Sequence, residues 1–230
     1  MIHRLATAAS MLLVAACGAA QAAAPPSQPP ARHGQPKRAE LFWEEKWHTN
    51  PAAADGVPVD LTTSVRNAEL ELKLYGPGPK LTMFGKDSDP NDKPRAYSGE
   101  AKGPMVVAWR SKKAFGDLTG LSRIRVASIA SGFHKLYPTV KLANGDWYIA
   151  DRATSGLTKD WVTEEIPLIE ARWIKLDIAN AVTKGDFLDK IDLSKVDEIG
   201  FTDLIPASGH GAGGWFLLGE VDVYGTAVPR

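Results

Sequence analysis

The sequence predicts an all-β protein: a jelly-roll-like antiparallel β-sandwich of about nine or ten strands with little helix. Three observations carry this. Beyond Leu61 the apolar residues recur with a period of two, bounded by Gly, Pro, Asn and Asp, the pattern of half-buried strands. Asn144-Gly145 lies between two such runs, a dipeptide that suits a tight type I′ hairpin turn. No long amphipathic helix and no self-similar repeat of 20 to 50 residues interrupts the pattern.

The strands follow in order. Glu69 to Leu74 alternates three charges with three leucines, giving a strand with one wet face. Met105 to Arg110 is a continuous apolar run suited to a more buried strand, and Arg123 to Val126 returns to alternation. Lys135 to Leu142 and Asp146 to Ala150 flank the Asn-Gly pair and form the expected hairpin. Trp161 to Ile166, Trp173 to Ile178, Glu198 to Thr202 and Trp215 to Tyr224 complete the set. Arg38 to Trp47 places Leu41 and Trp47 near one helical face and reads as a short helix or an irregular lead-in.

The organisation ahead of the sandwich is that of an exported protein. Met1 to Arg4 is a basic start, Leu5 to Ala16 an apolar run too short to span a bilayer, and small residues follow, so residues 1–22 read as a signal peptide. Two processing routes stay open. Ala20-Gln21-Ala22 fits ordinary signal cleavage, whereas Val14-Ala15-Ala16-Cys17 resembles a lipobox that would leave a lipid on Cys17 as the membrane contact. Residues 23–36 hold five prolines and no bulky apolar group, and form a tether. Residues 37–230 make one domain. The expected location is the periplasm, the extracellular space or, with the lipid, the outer membrane.

Composition narrows the function. The 230 residues are 44% hydrophobic and 23% charged, ordinary for a globular protein. Lys plus Arg equals Asp plus Glu at 27 each, so the chain lacks the cationic surplus with which nucleic-acid binders hold phosphates. A single Cys excludes an intrachain disulfide and a Cys-based zinc cage. A GxSxG elbow, a Walker loop, HExxH and a GxGxxG after a strand are all absent.

Several residues are chemically suggestive. Ser208 to Gly214 (SGHGAGG) surrounds His210 with glycines, which suits either close approach of a ligand to an exposed, mobile imidazole or a plain connection whose His caps a turn. His134 sits in a turn before a strand on which Lys135, Tyr137, Thr139 and Lys141 share one face by period two. Such a Tyr between lysines could recognise a hydroxyl-rich or anionic ligand, supply acid-base chemistry, or be a solvated face on which Lys stems cover the ring. Seven tryptophans allow aromatic platforms for sugar rings but also suit a sandwich core; Trp147 and Tyr148 adjoin the hairpin tip on opposite faces, so at least one should be near solvent, while Trp109 and Trp173 are expected in the core. Asp87, Asp89, Asn91 and Asp92 alternate oxygen donors as calcium loops do, without the Gly and Glu of an EF-hand. No cofactor is required by this reading, and calcium is the one considered. Glu164 and Glu165 point to opposite faces and do not form a glycosidase pair.

The segments Leu118 to Val126, Trp161 with Ile166-Pro167-Leu168, Ile191 to Phe201, and Trp215 to Gly225 occur in an order that resembles the galactose-binding-like jelly roll of carbohydrate-binding modules and of the complex I assembly factor family. The resemblance covers roughly residues 117–225. It implies a sandwich whose concave face or loop rim holds a glycan; the matching positions are packing and turn residues, so it assigns no ligand residue. Two functions follow as expectations. One is non-catalytic carbohydrate recognition, with Trp147, Tyr148, Lys135 and His210 as ligand contacts. The other is a polysaccharide lyase or hydrolase, with His134, Tyr137, Lys141 and His210 converging in one cleft.

Overall fold

A computed structural model describes residues 38–49, 55–78, 80–100, 102–211 and 213–230. The signal peptide with Cys17, and the tether, lie outside the described residues. In chain order the strands are β1 (Leu41–Glu45), β2 (Val57–Pro58), β3 (Leu70–Tyr75), β4 (Thr82–Phe84), β5 (Arg95–Tyr97), β6 (Val106–Ser111), β7 (Ala114–Asp117) and β8 (Arg123–Ser131). They continue as β9 (Tyr137–Leu142), β10 (Trp147–Ala150), β11 (Val162–Pro167), β12 (Trp173–Asp177), β13 (Val182–Leu188), β14 (Val196–Thr202), β15 (Trp215–Tyr224) and β16 (Thr226–Pro229). One 3-10 turn, Leu168–Glu170, is the helical element among the described residues.

The strands build two antiparallel sheets, an all-β sandwich. The seven-stranded sheet runs β11-β8-β15-β5-β4-β2, with β1 added to the far half of β15. The nine-stranded sheet runs β13-β12-β10-β9-β14-β6-β3, with β7 on the start of β14 and β16 on β7. The strands beyond the expected nine or ten are mostly short ones, such as β2, β4 and β5, which offer too few residues for a period of two to show in sequence.

Alternation explains what is buried. On β6, Val107 and Trp109 face the space between the sheets, while Val106 and Ala108 face outward into a second cluster, so both faces are covered as the continuous apolar run predicts. Trp109 and Trp173 are core residues. Trp109 meets Trp47 and Trp43 with ring centroids 5.5 and 6.1 Å away, in edge-on and tilted contacts respectively.

Residues 41–45 are strand rather than helix. Trp43, Glu45 and Trp47 are all buried, an inward alternation masked in the sequence by the charge of Glu45. That carboxylate accepts hydrogen bonds from the backbone N–H groups of Trp47, Arg66 and Asn67 (2.8–3.0 Å), which is what permits its burial.

The β9–β10 hairpin forms with Trp147 opposite Lys141 and Ile149 opposite Thr139. Its turn differs from type I′. Gly145 N–H donates to the Leu142 carbonyl at 2.9 Å and Leu142 N–H to the Asp146 carbonyl at 2.8 Å, while Gly145 has φ +92° and Asn144 is not among the positive-φ residues. This is a three-residue loop with a glycine bulge, stabilised by the Asn144 side chain accepting from Asp146 N–H at 2.9 Å.

Candidate functional site

The two histidine loops meet. β14 ends at Thr202 and delivers Asp203 to the sheet edge, where His134 Nδ1 lies 3.1 Å and His210 Nε2 3.2 Å from the same Asp203 oxygen, Oδ2. The rings stand edge to face with centroids 5.2 Å apart. His134 Nε2 is hydrogen-bonded to the Gly213 carbonyl, so both of its nitrogens have oxygen partners. The hydrogen bond that its protonated Nδ1 donates to Asp203, opposed by burial, raises the His134 pKa above its ordinary value. His134 and Asp203 are 2% and 1% exposed, and the His210 side chain 11%. The expected exposed, mobile imidazole is thus a held one, because Asp203 supplies an acceptor that the sequence spacing hides. The glycines serve this closure: a Cβ on Gly214 would stand 2.3 Å from His134 Cδ2, and its φ is +84°.

Lys141 and Tyr137 belong to a different place. Lys141 Nζ donates to Glu198 Oε1 at 2.9 Å and lies 3.4 Å from Asp197. Glu198 is fully buried and also accepts from Lys73 Nζ (3.1 Å) and Tyr75 OH (2.7 Å). Burial lowers the Lys141 pKa, but the Glu198 hydrogen bond and charge outweigh it, so the ammonium is held above its usual range and is no base. Burial and Glu198 likewise push the Tyr75 phenol far up. Tyr137 packs against the outer apolar cluster, and burial raises its phenol pKa. His134 and His210 therefore converge, while Lys141 is committed to the buried Glu198; a single cleft of all four does not form.

The hairpin tip offers no open platform. Trp147 is 5% exposed, inside the outer cluster, edge-on to Tyr75 at 5.2 Å. Tyr148 is half-buried against the main core. Lys135 is exposed, its stem beside Gly156. In the acidic loop, Asp87 accepts from Arg66, His48 Nδ1 (2.5 Å) and Thr49 N–H (3.2 Å). Asp92 pairs with Arg95 at 2.5 Å, and Asp89 accepts from Asn91 N–H at 2.8 Å in a local turn. These oxygens are turned to separate partners. Glu164 and Glu165 do point apart, one bonded to Ser155 and the other paired with Arg123 at 3.1 Å.

A feature that sequence reasoning missed lies on the outer face of the seven-stranded sheet. Trp161, just ahead of β11, is 45% exposed, and its ring reaches across β8 at Ala127 to Gly219 of β15. A Cβ on Gly219 would meet Trp161 Cζ3 at 3.0 Å, so the missing side chain makes room for the ring. Beside it, Arg125, Ala127, Thr163 and Glu220 line a shallow cavity of about 60 Å³. Arg125 is fixed there by Asp222 (2.6 Å from Nε) and Glu220 (3.1 Å from Nη2). Further along the same face, half-buried Trp215, Tyr97 and Phe84 form an edge-to-face row with centroid spacings of 5.9 and 5.7 Å. Trp161 starts an ordinary strand pattern in the sequence; only its register against a glycine two strands away distinguishes it.

No protein-family model matches the chain, and no curated protein matches it. Among solved structures, it is similar to a family 11 carbohydrate-binding module of a cellulosomal cellulase from Clostridium thermocellum. The identity is 16% and the TM-score 0.46, over 76% of this chain and 97% of that one. A second structure of a family 11 module from the same organism, in complex with a β-1,3-1,4-mixed-linked tetrasaccharide, has 16% identity and a TM-score of 0.44 over 78% and 100% of the two chains. An exo-β-agarase has 8% identity and a TM-score of 0.40 over 76% of this chain and 25% of its own.

Proposed function

We propose that this chain is an exported carbohydrate-recognition β-sandwich that seats a sugar ring on Trp161. The observation that carries the reading is that ring: nearly half exposed on an open sheet face, supported from beneath by Gly219. An aromatic face held this way packs against the C–H face of a pyranose, and burying both gains apolar area without desolvating hydroxyls. Arg125, Thr163 and Glu220 stand at the ring's side as donors and acceptors for those hydroxyls, and Arg125 is already oriented by two carboxylates, so little side-chain entropy is lost on binding. The leader read in residues 1–22 supports a binder that works outside the cytoplasm, where polysaccharide is met.

The test is retention on a panel of neutral and acidic polysaccharides, with released unsaturated or reducing ends recorded alongside. Wild-type chain is expected to be retarded by at least one glycan without product release, and Trp161→Ala to lose the retardation while keeping its melting temperature. Retention indifferent to Trp161→Ala removes the site. Product release abolished by His134→Ala or Lys141→Ala establishes the lyase or hydrolase instead.

A further inference from the structure

We propose that His134, Asp203 and His210 form a binding site for a divalent transition-metal ion of the zinc type. The site is independent of the sugar platform. Its three donor atoms, His134 Nδ1, Asp203 Oδ2 and His210 Nε2, come from a turn before β9, the end of β14 and the Gly-rich loop, and all lie within 4.8 Å of one another. The two nitrogens stand 3.1 and 3.2 Å from the oxygen. Donors on a tetrahedral ion with bonds of about 2.0–2.1 Å sit about 3.3–3.4 Å apart, so each nitrogen needs to part from the carboxylate oxygen by only a few tenths of an ångström, and the two nitrogens, within 4.8 Å of one another, settle to the same spacing.

Two further features fit an ion. His134 Nε2 is held by the Gly213 carbonyl, and a ring that donates N–H there turns the lone pair of Nδ1 toward the carboxylate. That backbone partner is the kind that fixes the tautomer of a metal-bound imidazole. Two imidazoles and one carboxylate form a borderline donor set that favours Zn2+, Co2+ or Ni2+ over the hard cations Ca2+ and Mg2+. The 11% exposure of His210 gives an entry path, and three protein donors leave a coordination position for water. The second cluster of the same kind among the described residues, Glu44, Glu220 and Asp222, is all carboxylate and is matched by Lys46 (3.1 Å from Glu44) and Arg125.

The experiment uses the full chain, treated with EDTA and desalted. One equivalent of Zn2+ should raise the melting temperature by several degrees, with Ca2+ and Mg2+ inert. Co2+ should give visible ligand-field bands that Zn2+ abolishes. Of the five histidines, two should show metal-shifted imidazole nitrogen resonances in a long-range proton–nitrogen spectrum of the wild-type chain. His210→Ala should lose the Zn2+-dependent shift; the spectrum on wild type decides the matter even if that variant is unstable. A chain that takes up no Zn2+ at about 100 μM overturns the proposal and leaves a proton-bridged His-Asp-His cluster. So does a thermal shift that survives in His210→Ala, which assigns the ion to His3, His33 or His48.

Discussion

The outer faces of the two sheets have been solved in opposite ways. On the nine-stranded sheet, Val106, Ala108, Trp147, Ile149, Ile174, Leu176 and Leu204 are all buried in a second apolar cluster, with Tyr75, Tyr137, Ile178 and Phe187 packed on it. Its far end is closed by charge, where Glu198 gathers Lys73, Lys141 and Tyr75, and Asp197 gathers Arg110 and Arg230. On the seven-stranded sheet the aromatic rings stay half-exposed, and small residues at 127 and 219 keep space for Trp161. The same residue types therefore stabilise one face and leave the other available. What separates them is whether neighbouring side chains pack around the rings, not how many rings there are.

That contrast can be broken from the covered side first. Trp147→Ala removes the largest ring of the outer cluster and should cost about 3–5 kcal/mol, read as a lower midpoint of chemical denaturation, with glycan retention per folded molecule unchanged. Glu198→Ala removes the buried acceptor shared by two ammonium groups and the Tyr75 hydroxyl, leaving Lys141 to Asp197 and Lys73 to Glu71. The expected cost is about 2–3 kcal/mol, below that of fully enclosed pairs. The reason is that the Lys73 and Lys141 side chains keep 29% and 26% of their surface in water.

A smaller loss comes at the hairpin. Gly145→Val has open space around its Cβ but must hold φ near +92°, so about 1–3 kcal/mol of backbone strain is expected in a thermal melt. An unchanged transition would show that the turn relaxes to another geometry.

The charged end should titrate. Burial raises the Asp197 pKa, but hydrogen bonds from Arg230 and Arg110 outweigh it and hold the group below its usual 3.8. A depressed folded-state value means the stabilisation is complete above the unfolded pKa and is lost as pH falls through the folded one. Denaturation midpoints should therefore drop in strong acid, and Asp197→Asn should flatten that limb by about 1 kcal/mol or less. Smallest of all, Trp161→Ala should change stability by under about 1 kcal/mol, because its ring is already half in water; a large loss would make it a packing residue like Trp147.

The strands were legible where one rule governed both neighbours of a residue. Leu70 and Leu72 alternate with Glu71 and Lys73 because one face of β3 is buried and the other is wet. β1 was not legible, since its inward alternation includes a buried Glu45 satisfied by backbone N–H groups from residues 21 and 22 positions away. Nor could the sequence separate Trp147 from Trp161, both of which stand at or beside the start of a strand. The first lies within a second cluster to which six other segments contribute, and the second lies over a glycine two strands distant.

By itself the sequence determined the all-β class, the positions of the long strands, the hairpin at residues 144–145 and the near-neutral charge, because periodicity, turn chemistry and composition are properties of neighbours along the chain. Only the tertiary structure decided that His134 and His210 meet at Asp203, that Lys141 is spent on Glu198, and that Trp161 rather than Trp147 faces solvent. Those outcomes depend on partners 69 residues apart for His134 and Asp203, 57 for Lys141 and Glu198 and 58 for Trp161 and Gly219, brought together by the order of strands in each sheet. No local pattern encodes that order, because the hydrogen bonds that set it are the same between any two strands.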